Sequence, residues 1–313
     1  MLYPVSTRSR KVLSLDGIWK FKPGKIALNE EQAGVKLTDY LNMPVPSSYN
    51  EIPSDFDIRN HQGWVWYERD LVIQEDLLEE RLLVRFGSAT HKARLYINGT
   101  FVLEHIGGFT PFEVELNEIV KPGKNLIQIA VDNQLDFTTI PLGNQTGEGE
   151  EQKTQGMFDF FNYAGIHRPV KLYTTPKTYV EDVTVVTDFE GTVGKVDYQV
   201  EVNGNADVTV KLYDEKDKLV AEASGAKGTL EVSDVTLWQP LNAYLYNLVV
   251  ELINDDKLVD EYELPVGVRT VEVKGNEFLI NGEPFYFKGF GKHEDSHIHG
   301  RGFDEALNAK DIG

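Results

Sequence analysis

The residues best equipped for chemistry crowd into one short stretch late in the 313-residue chain. His293, Asp295, His297 and His299 occupy alternate positions, so on an extended strand all four would share one face. Imidazole and carboxylate are good zinc ligands, and a zinc site is the sharpest chemistry this spacing permits. A solvated loop is the plainer reading, because no group that would orient the imidazoles can be picked out around them. We therefore expect no metal. The chain has no cysteine, which excludes disulfides and thiolate nucleophiles. Glycine pairs such as Gly107-Gly108 do not have the spacing of a phosphate loop, and there is no nucleophile elbow or dinucleotide fingerprint. No cofactor is expected.

These residues must be positioned by strands. Apolar and polar residues alternate with period two along most of the sequence, and helical periodicity is scarce. Ala93 to Ile97 alternates cleanly, and Asn98-Gly99 then supplies a tight turn before Thr100-Phe101-Val102, a strong hairpin signal. Gly63 to Gln74 and Leu126 to Val131 read as further strands. Near Thr174 to Lys177 the composition shifts from aromatic to valine-rich, with alternation through Val196 to Val202, Val208 to Leu212 and Tyr246 to Leu252. A last hairpin is expected from Phe278-Leu279-Ile280 through Asn281-Gly282 to Phe285-Tyr286-Phe287. Trp19, Trp64, Trp66, Phe86, Phe109 and Phe112 are expected in sandwich core. The Gly-rich acidic stretch from Gly143 to Gly156 reads as a mobile surface loop.

Composition narrows the partners. A net charge of −19 opposes binding to a phosphate backbone, so no nucleic acid is expected. No apolar run approaches the roughly 20 residues of a spanning helix, and Met1 to Arg10 lacks the apolar stretch of a secretory leader. No membrane association and a cytoplasmic location are the corresponding expectations. The triplets Asn98-Gly99-Thr100 and Asn144-Gln145-Thr146 then read as turn chemistry.

Several stretches together resemble glycoside hydrolase family 2, and within it the β-glucuronidases. Leu15-Asp16-Gly17-Ile18-Trp19 is similar to the family's opening strand, and Val45 to Asn50 and Gly63 to Tyr67 follow in the expected order. The run Val84 to Asn133 is similar to its sugar-binding domain throughout. Phe158 to Arg168 (Phe-Asp-Phe-Phe-Asn-Tyr-Ala-Gly-Ile-His-Arg) is the sharpest match. Leu237-Trp238-Gln239-Pro240 and Val266-Gly267-Val268-Arg269-Thr270 complete the series. The resemblance implies an all-β chain. A jelly-roll β-sandwich over residues 1–176 precedes an immunoglobulin-like sandwich over 177–272, and 273–313 is the start of a (β/α)8 barrel. A barrel needs about 250 residues, so that third part is expected to be incomplete.

By the same resemblance, the parent activity is retaining hydrolysis of β-D-glucuronides by a homo-oligomer, with Asp159 and His293 contacting the sugar. A carboxylate suits the first task, since it can accept charge-assisted hydrogen bonds from two hydroxyls. The plainer reading of Asp159 is a residue that orders an aromatic loop, and that of His293 a structural histidine. The chemistry itself needs two carboxyl groups about 5–5.5 Å apart. In the family the acid/base glutamate follows Asn and precedes Pro. Asn29-Glu30, Asn50-Glu51, Asn117-Glu118 and Asn276-Glu277 all lack that proline. No catalytic residue is therefore expected within these 313 residues, and no turnover by this chain alone. A carbohydrate-binding module, an assembly domain and a piece of a family 2 β-galactosidase are the alternatives.

Overall fold

The structure, a computed structural model, describes residues 1–24, 33–147 and 153–312. The chain is all-β and divides into two compact units. One comprises Leu13–Tyr173 with Lys292–Gly313, and the other Met1–Val12 with Thr174–Gly291. Both units therefore join stretches distant in sequence.

The first unit is a sandwich. Its six-stranded antiparallel sheet runs in the order Leu41–Val45, Gly17–Pro23, Trp64–Ile73, Gly123–Asp132, Lys92–Ile97, Thr100–Ile106. A four-stranded sheet, Val12–Ser14, Val170–Thr175, Arg81–Phe86 and Phe112–Glu115, forms the other layer. Alternation decides which side chains enter the core. Along Trp64–Ile73 the residues Val65, Tyr67, Leu71 and Ile73 are buried, and Tyr67 stands opposite both Phe21 and Ile129. Trp19, Phe86 and Phe112 are core residues as expected. The Trp19 ring meets Phe86 edge-on at 6.3 Å, and Phe86 stacks on Phe112 at 5.1 Å. Trp64 and Trp66 are only partly buried, and Phe109 is exposed, so those three are not core.

The Asn98-Gly99 hairpin forms as read. Ile97 pairs with Thr100, and both turn residues have positive φ (51° and 83°). Asn98 also ties the turn to the adjacent strand, its Oδ1 accepting from Leu126 N at 2.9 Å. The stretch Gly143 to Gly156 differs from expectation at its ends, where Gly143–Thr146 pairs with Lys153–Gly156. The Gln62 side chain holds this hairpin, its Nε2 donating to Thr154 O at 2.9 Å and its Oε1 accepting from Thr154 N at 2.8 Å. The centre of that stretch, like Asn29-Glu30, lies outside the described residues.

The second unit is a smaller sandwich. Tyr179–Glu190, Val193–Asn203 and Lys227–Val232 form one sheet, and Leu219–Ser224, Asp207–Tyr213, Tyr246–Asn254 and Lys257–Val266 the other. Val196, Tyr198 and Val200 from the first sheet face Val208, Val210, Leu212, Leu248, Val250 and Leu252 from the second in one core. A small sheet of Val271–Lys274, Glu277–Ile280 and Glu283–Pro284 follows. Its last strand is shorter than expected and precedes Phe285-Tyr286-Phe287. The rings of Phe278, Phe285 and Phe287 cluster there at 4.8–6.4 Å.

The N-terminal segment is fastened to this second unit by an ion pair removed from solvent. Arg10 and Asp260 are both buried. The guanidinium donates twice, from Nε at 3.0 Å and from Nη2 at 2.6 Å. Val180 N and Ser9 Oγ complete the carboxylate's shell, each at 2.8 Å, while Arg10 Nη2 also reaches Val180 O at 2.9 Å. Such a fully satisfied pair is costly to break from one side, because the remaining charge is left buried. Arg8, Glu251, Glu261 and Lys211 form a second, more exposed network beside it. We predict that Asp260→Ala lowers stability by about 3–5 kcal/mol and that the paired apolar replacement Arg10→Met with Asp260→Leu costs less. Urea denaturation followed by far-UV circular dichroism checks this; an Asp260→Ala midpoint within error of the parent would show that the pair does not matter.

Candidate functional site

In the first unit, the loop Met157–Arg168 meets the late segment Lys292–Asp304. The loop's root is fixed by backbone pairing that its sequence permits at one position in particular. Gly165 has φ +130°, and a Cβ there would stand 2.8 Å from Tyr67 Oη and 2.9 Å from Ser47 O. Glycine alone tolerates both constraints. Ser47 N, Tyr49 N and Thr90 N accordingly donate to Ile166 O, Ala164 O and Gly165 O at 2.9–3.1 Å.

His167 follows directly and is buried. Its Nδ1 lies 3.1 Å from Thr90 Oγ1 and its Nε2 3.0 Å from Ser48 Oγ. Thr90 donates its hydroxyl proton to Gly108 O at 3.0 Å, so it accepts from His167. The network thereby assigns the proton to Nδ1, and Nε2 accepts from Ser48. Burial, reinforced by the nearby Arg301 charge, pushes the imidazole down to about 3, so it stays neutral. His91 is handled similarly. Asn162 donates through Nδ2 to Asn133 O at 3.0 Å, leaving its Oδ1 to accept from His91 Nε2 at 2.8 Å. Burial holds His91 down at about 4 despite that bond. Asn133 continues the chain to Tyr49 Oη and His61 O, each at 2.8 Å.

The late segment lies on this network. Ser48 Oγ accepts from Arg301 N at 2.9 Å, Ser48 N donates to His299 O at 3.0 Å, and Phe303 N donates to His167 O at 2.8 Å. The contact is so close that side chains at Gly300 and Gly302 would collide with Ser48 Cβ at 2.5 Å and Ser47 Cα at 2.6 Å. Arg168 adds a fork of hydrogen bonds to Glu294, at 2.8 and 3.0 Å. The segment ends in the helix Glu305–Ile312, whose first turn Asp304 caps by accepting from Leu307 N at 2.9 Å.

Of the two residues singled out for sugar contact, His293 packs against Phe160, the residue that follows Asp159. Asp159 is exposed and, among the described residues, makes no hydrogen bond or ion pair. Its flanking rings, Phe158 and Phe160, stack on one another at 4.2 Å. His293 is also exposed and meets Phe160 edge-on at 5.6 Å. Both side chains are exposed, on stretches that run into the segments fixed by buried hydrogen bonds, Ala164–His167 and His299–Phe303. The remaining alternate residues do not share a face. Ser296 and Gly300 pair across a tight turn, and His299 is engaged by Asp304 at 2.9 Å and Ser296 Oγ at 3.3 Å. The extended strand that a zinc reading required is therefore replaced by a turn. Among the described residues, no three histidine or acidic side chains are grouped to hold a metal, and no helix is long and apolar enough to cross a membrane.

Sequence reading did not single out Ser48, Thr90, His91 or Arg301. Ser48 and His167 at least lie inside motif stretches. Thr90 and His91 fall within the long Val84–Asn133 run, but nothing local marks them or Arg301, because their roles arise from contacts across tens to hundreds of residues.

Comparison with known proteins matches three family domains in order. They are the glycosyl hydrolases family 2 sugar binding domain over residues 12–176, the glycosyl hydrolases family 2 domain over 178–269, and the family 2 TIM barrel domain over 271–313. The chain is 45% identical to a β-glucuronidase of Paenibacillus borealis and 41% identical to the human one, each over its whole length. It spans about half the length of these relatives, 54% and 53%. Among solved structures, an uncultured Clostridium sp. β-glucuronidase superposes with a TM-score of 0.92 at 46% identity, covering 100% of this chain and 54% of that one. A Ruminococcus gnavus β-glucuronidase in complex with D-glucuronic acid gives 0.95 at 36% identity, with 99% and 55% covered.

The neutral histidines carry a pH consequence. In the unfolded chain they protonate near 6.5, while in the folded chain they resist until pH falls much lower, so their contribution is complete above 6.5 and is lost as pH drops. Between pH 6.5 and about 4.5 each should cost on the order of 1 kcal/mol of stability per pH unit. His167→Gln should remove one share of that slope. Urea midpoints at pH 7, 6 and 5 decide the matter, and an identical slope in parent and variant would refute the assignment.

Proposed function

This chain belongs to glycosyl hydrolase family 2, and on that premise we propose that it forms the non-catalytic front of a retaining β-glucuronidase, lending Asp159 and His293 to a sugar site completed by a barrel. The observation that supports this reading is an exposed carboxylate, without hydrogen bond or ion pair among the described residues, next in sequence to Phe160, whose ring an exposed imidazole meets edge-on at 5.6 Å. The kinship with β-glucuronidases over the whole chain supports glucuronide as the substrate class. The division into a jelly-roll module over 1–176, an immunoglobulin-like module over 177–272 and barrel residues over 273–313 belongs to the same proposal. So do a homo-oligomeric assembly and a cytoplasmic setting, with which a cysteine-free composition is compatible.

Asp159 accepts hydrogen bonds from sugar hydroxyls, and His293 donates or accepts one more. Neither supplies the second carboxyl group of the double displacement. Their work is orientation, and interactions at non-reacting hydroxyls speed reaction only so far as they strengthen in the transition state. The chain alone is accordingly a platform without a nucleophile.

Two measurements test this. The purified 313-residue chain should release no chromophore from 4-nitrophenyl β-D-glucuronide above a buffer blank; saturable release tracking the protein would overturn the reading. Supplied with a separately produced family 2 glucuronidase barrel, it should restore hydrolysis. In that mixture Asp159→Ala or His293→Ala should lower kcat/KM about 10- to 100-fold, the worth of one charge-assisted hydrogen bond. Sugar binding without restored hydrolysis would favour a free-standing carbohydrate-binding module instead.

A further inference from the structure

Phe109 and Phe160 come from separate loops of the first unit, yet one cation joins them. The Arg301 guanidinium carbon lies 5.4 Å from the Phe109 ring centroid and 5.0 Å from that of Phe160. Cations are drawn to aromatic faces by the ring quadrupole, and arginine is the cation most often used. Among the described residues Arg301 forms no ion pair, and its buried Nε has no hydrogen-bond acceptor. The two rings are therefore the principal partners of this charge.

The two ends of this contact are anchored differently. Arg301 springs from backbone held by Ser48 Oγ at 2.9 Å and flanked by Gly300 and Gly302, both pressed against Ser47 and Ser48. Phe160 lies in an irregular bend. Beyond Arg301, its ring contacts are Phe158, stacked at 4.2 Å, and His293, edge-on at 5.6 Å. Asp159 sits between Phe158 and Phe160 in sequence, so whatever fixes those rings fixes its backbone on both sides.

We propose that Arg301 is a positioning residue, which holds Phe160 by its aromatic face and thereby sets the placement of both Asp159 and His293. Its consequence for hydrolysis rests on the glucuronidase reading above; the placement itself does not. Arg301 touches no substrate in this scheme. It acts through Phe160, with the His167–Ser48 network as its footing.

The test uses the intact 313-residue chain labelled in its histidine rings, with Arg301→Met and Arg301→Lys variants. In the parent, the ring current of Phe160 displaces the His293 ring-proton resonances in a 1H–13C spectrum. Arg301→Met keeps the side-chain length and loses the charge, so the His293 resonances should move most of the way to free-imidazole positions. Arg301→Lys keeps a cation near the rings and should restore at least half the displacement. Phe160→Leu should abolish it, and adding Arg301→Met to Phe160→Leu should change His293 no further, as coupling through a single ring requires. Resonances unmoved in Arg301→Met, or a Lys variant indistinguishable from the Met variant, would overturn the proposal. Should Arg301→Met fail to fold, the Lys variant and the Phe160→Leu pair decide by the same criteria. No sugar is needed for this readout, so failure of the glucuronidase reading would appear only in the hydrolysis assays. In the barrel-supplemented enzyme, Arg301→Met should lower kcat/KM about 10-fold, with Arg301→Lys recovering most of it; the loss estimate follows the lower end of the contact it displaces.

Discussion

A single uncharged imidazole underlies the geometry of the candidate site. His167 is clamped between two hydroxyls, Thr90 on one side and Ser48 on the other, and its own carbonyl receives Phe303 N. Ser48 in turn receives Arg301 N. The loop Met157–Arg168 and the late segment are thus coupled through one buried ring whose two nitrogens must have opposite roles. Protonating it would turn its acceptor nitrogen into a second donor directed at a hydroxyl, in a place where a charge cannot be solvated. Satisfied polar networks of this kind specify one arrangement among many that would bury similar apolar area.

Around that ring the division of labour is clear. Buried groups fix the backbone and exposed groups are left for a ligand. Asn133, Asn162 and Ser48 spend most of their hydrogen-bonding capacity on neighbouring side chains and on main chain, and His91 commits its Nε2 to Asn162. Among the described residues, Asp159 and His293 spend none of theirs on hydrogen bonds. The aromatic rings between the two sets transmit position without consuming polar capacity, and so stacked Phe158 and Phe160 can stand beside an exposed carboxylate. The second unit solves a different problem with different means. There a bidentate arginine–aspartate pair, rather than a histidine, fastens a distant segment, and three further hydrogen bonds, with Ser9 Oγ, Val180 N and Val180 O, make its burial tolerable.

Much of this was legible in the sequence, for reasons that differ by element. Period-two alternation located the strands, since a one-residue slip would turn Val65, Tyr67 and Leu71 out to solvent. Asn98-Gly99 fixed its hairpin because few other residues accept two successive positive φ values. Motif resemblance singled out Asp159 and His293, and the structure sets the His293 ring against Phe160, the sequence neighbour of Asp159. Alternation failed where chain direction reverses. The residues His293 to His299 fit a strand by parity, yet a turn at Ser296–Gly300 breaks it. Phe109, assigned to the core by residue type, lies instead near an arginine. Arg301 was invisible, since nothing local announces a partner about 140 or 190 residues earlier in the chain.

The interleaved composition of the two units has a consequence for how the molecule comes into being. Arg10 emerges from the ribosome early, but its partner Asp260 follows 250 residues later. At about 5–20 residues per second, the arginine waits roughly 12–50 seconds for its carboxylate. Ser48 and His167 likewise wait for Gly300 to Phe303. Neither unit can close during the synthesis of its first strands, and each carries a vacant berth until the late segment arrives. Vectorial synthesis thus orders the closure. The N-terminal segment is fastened once residue 260 is free, and the footing of the loop Met157–Arg168 is completed only after residue 303.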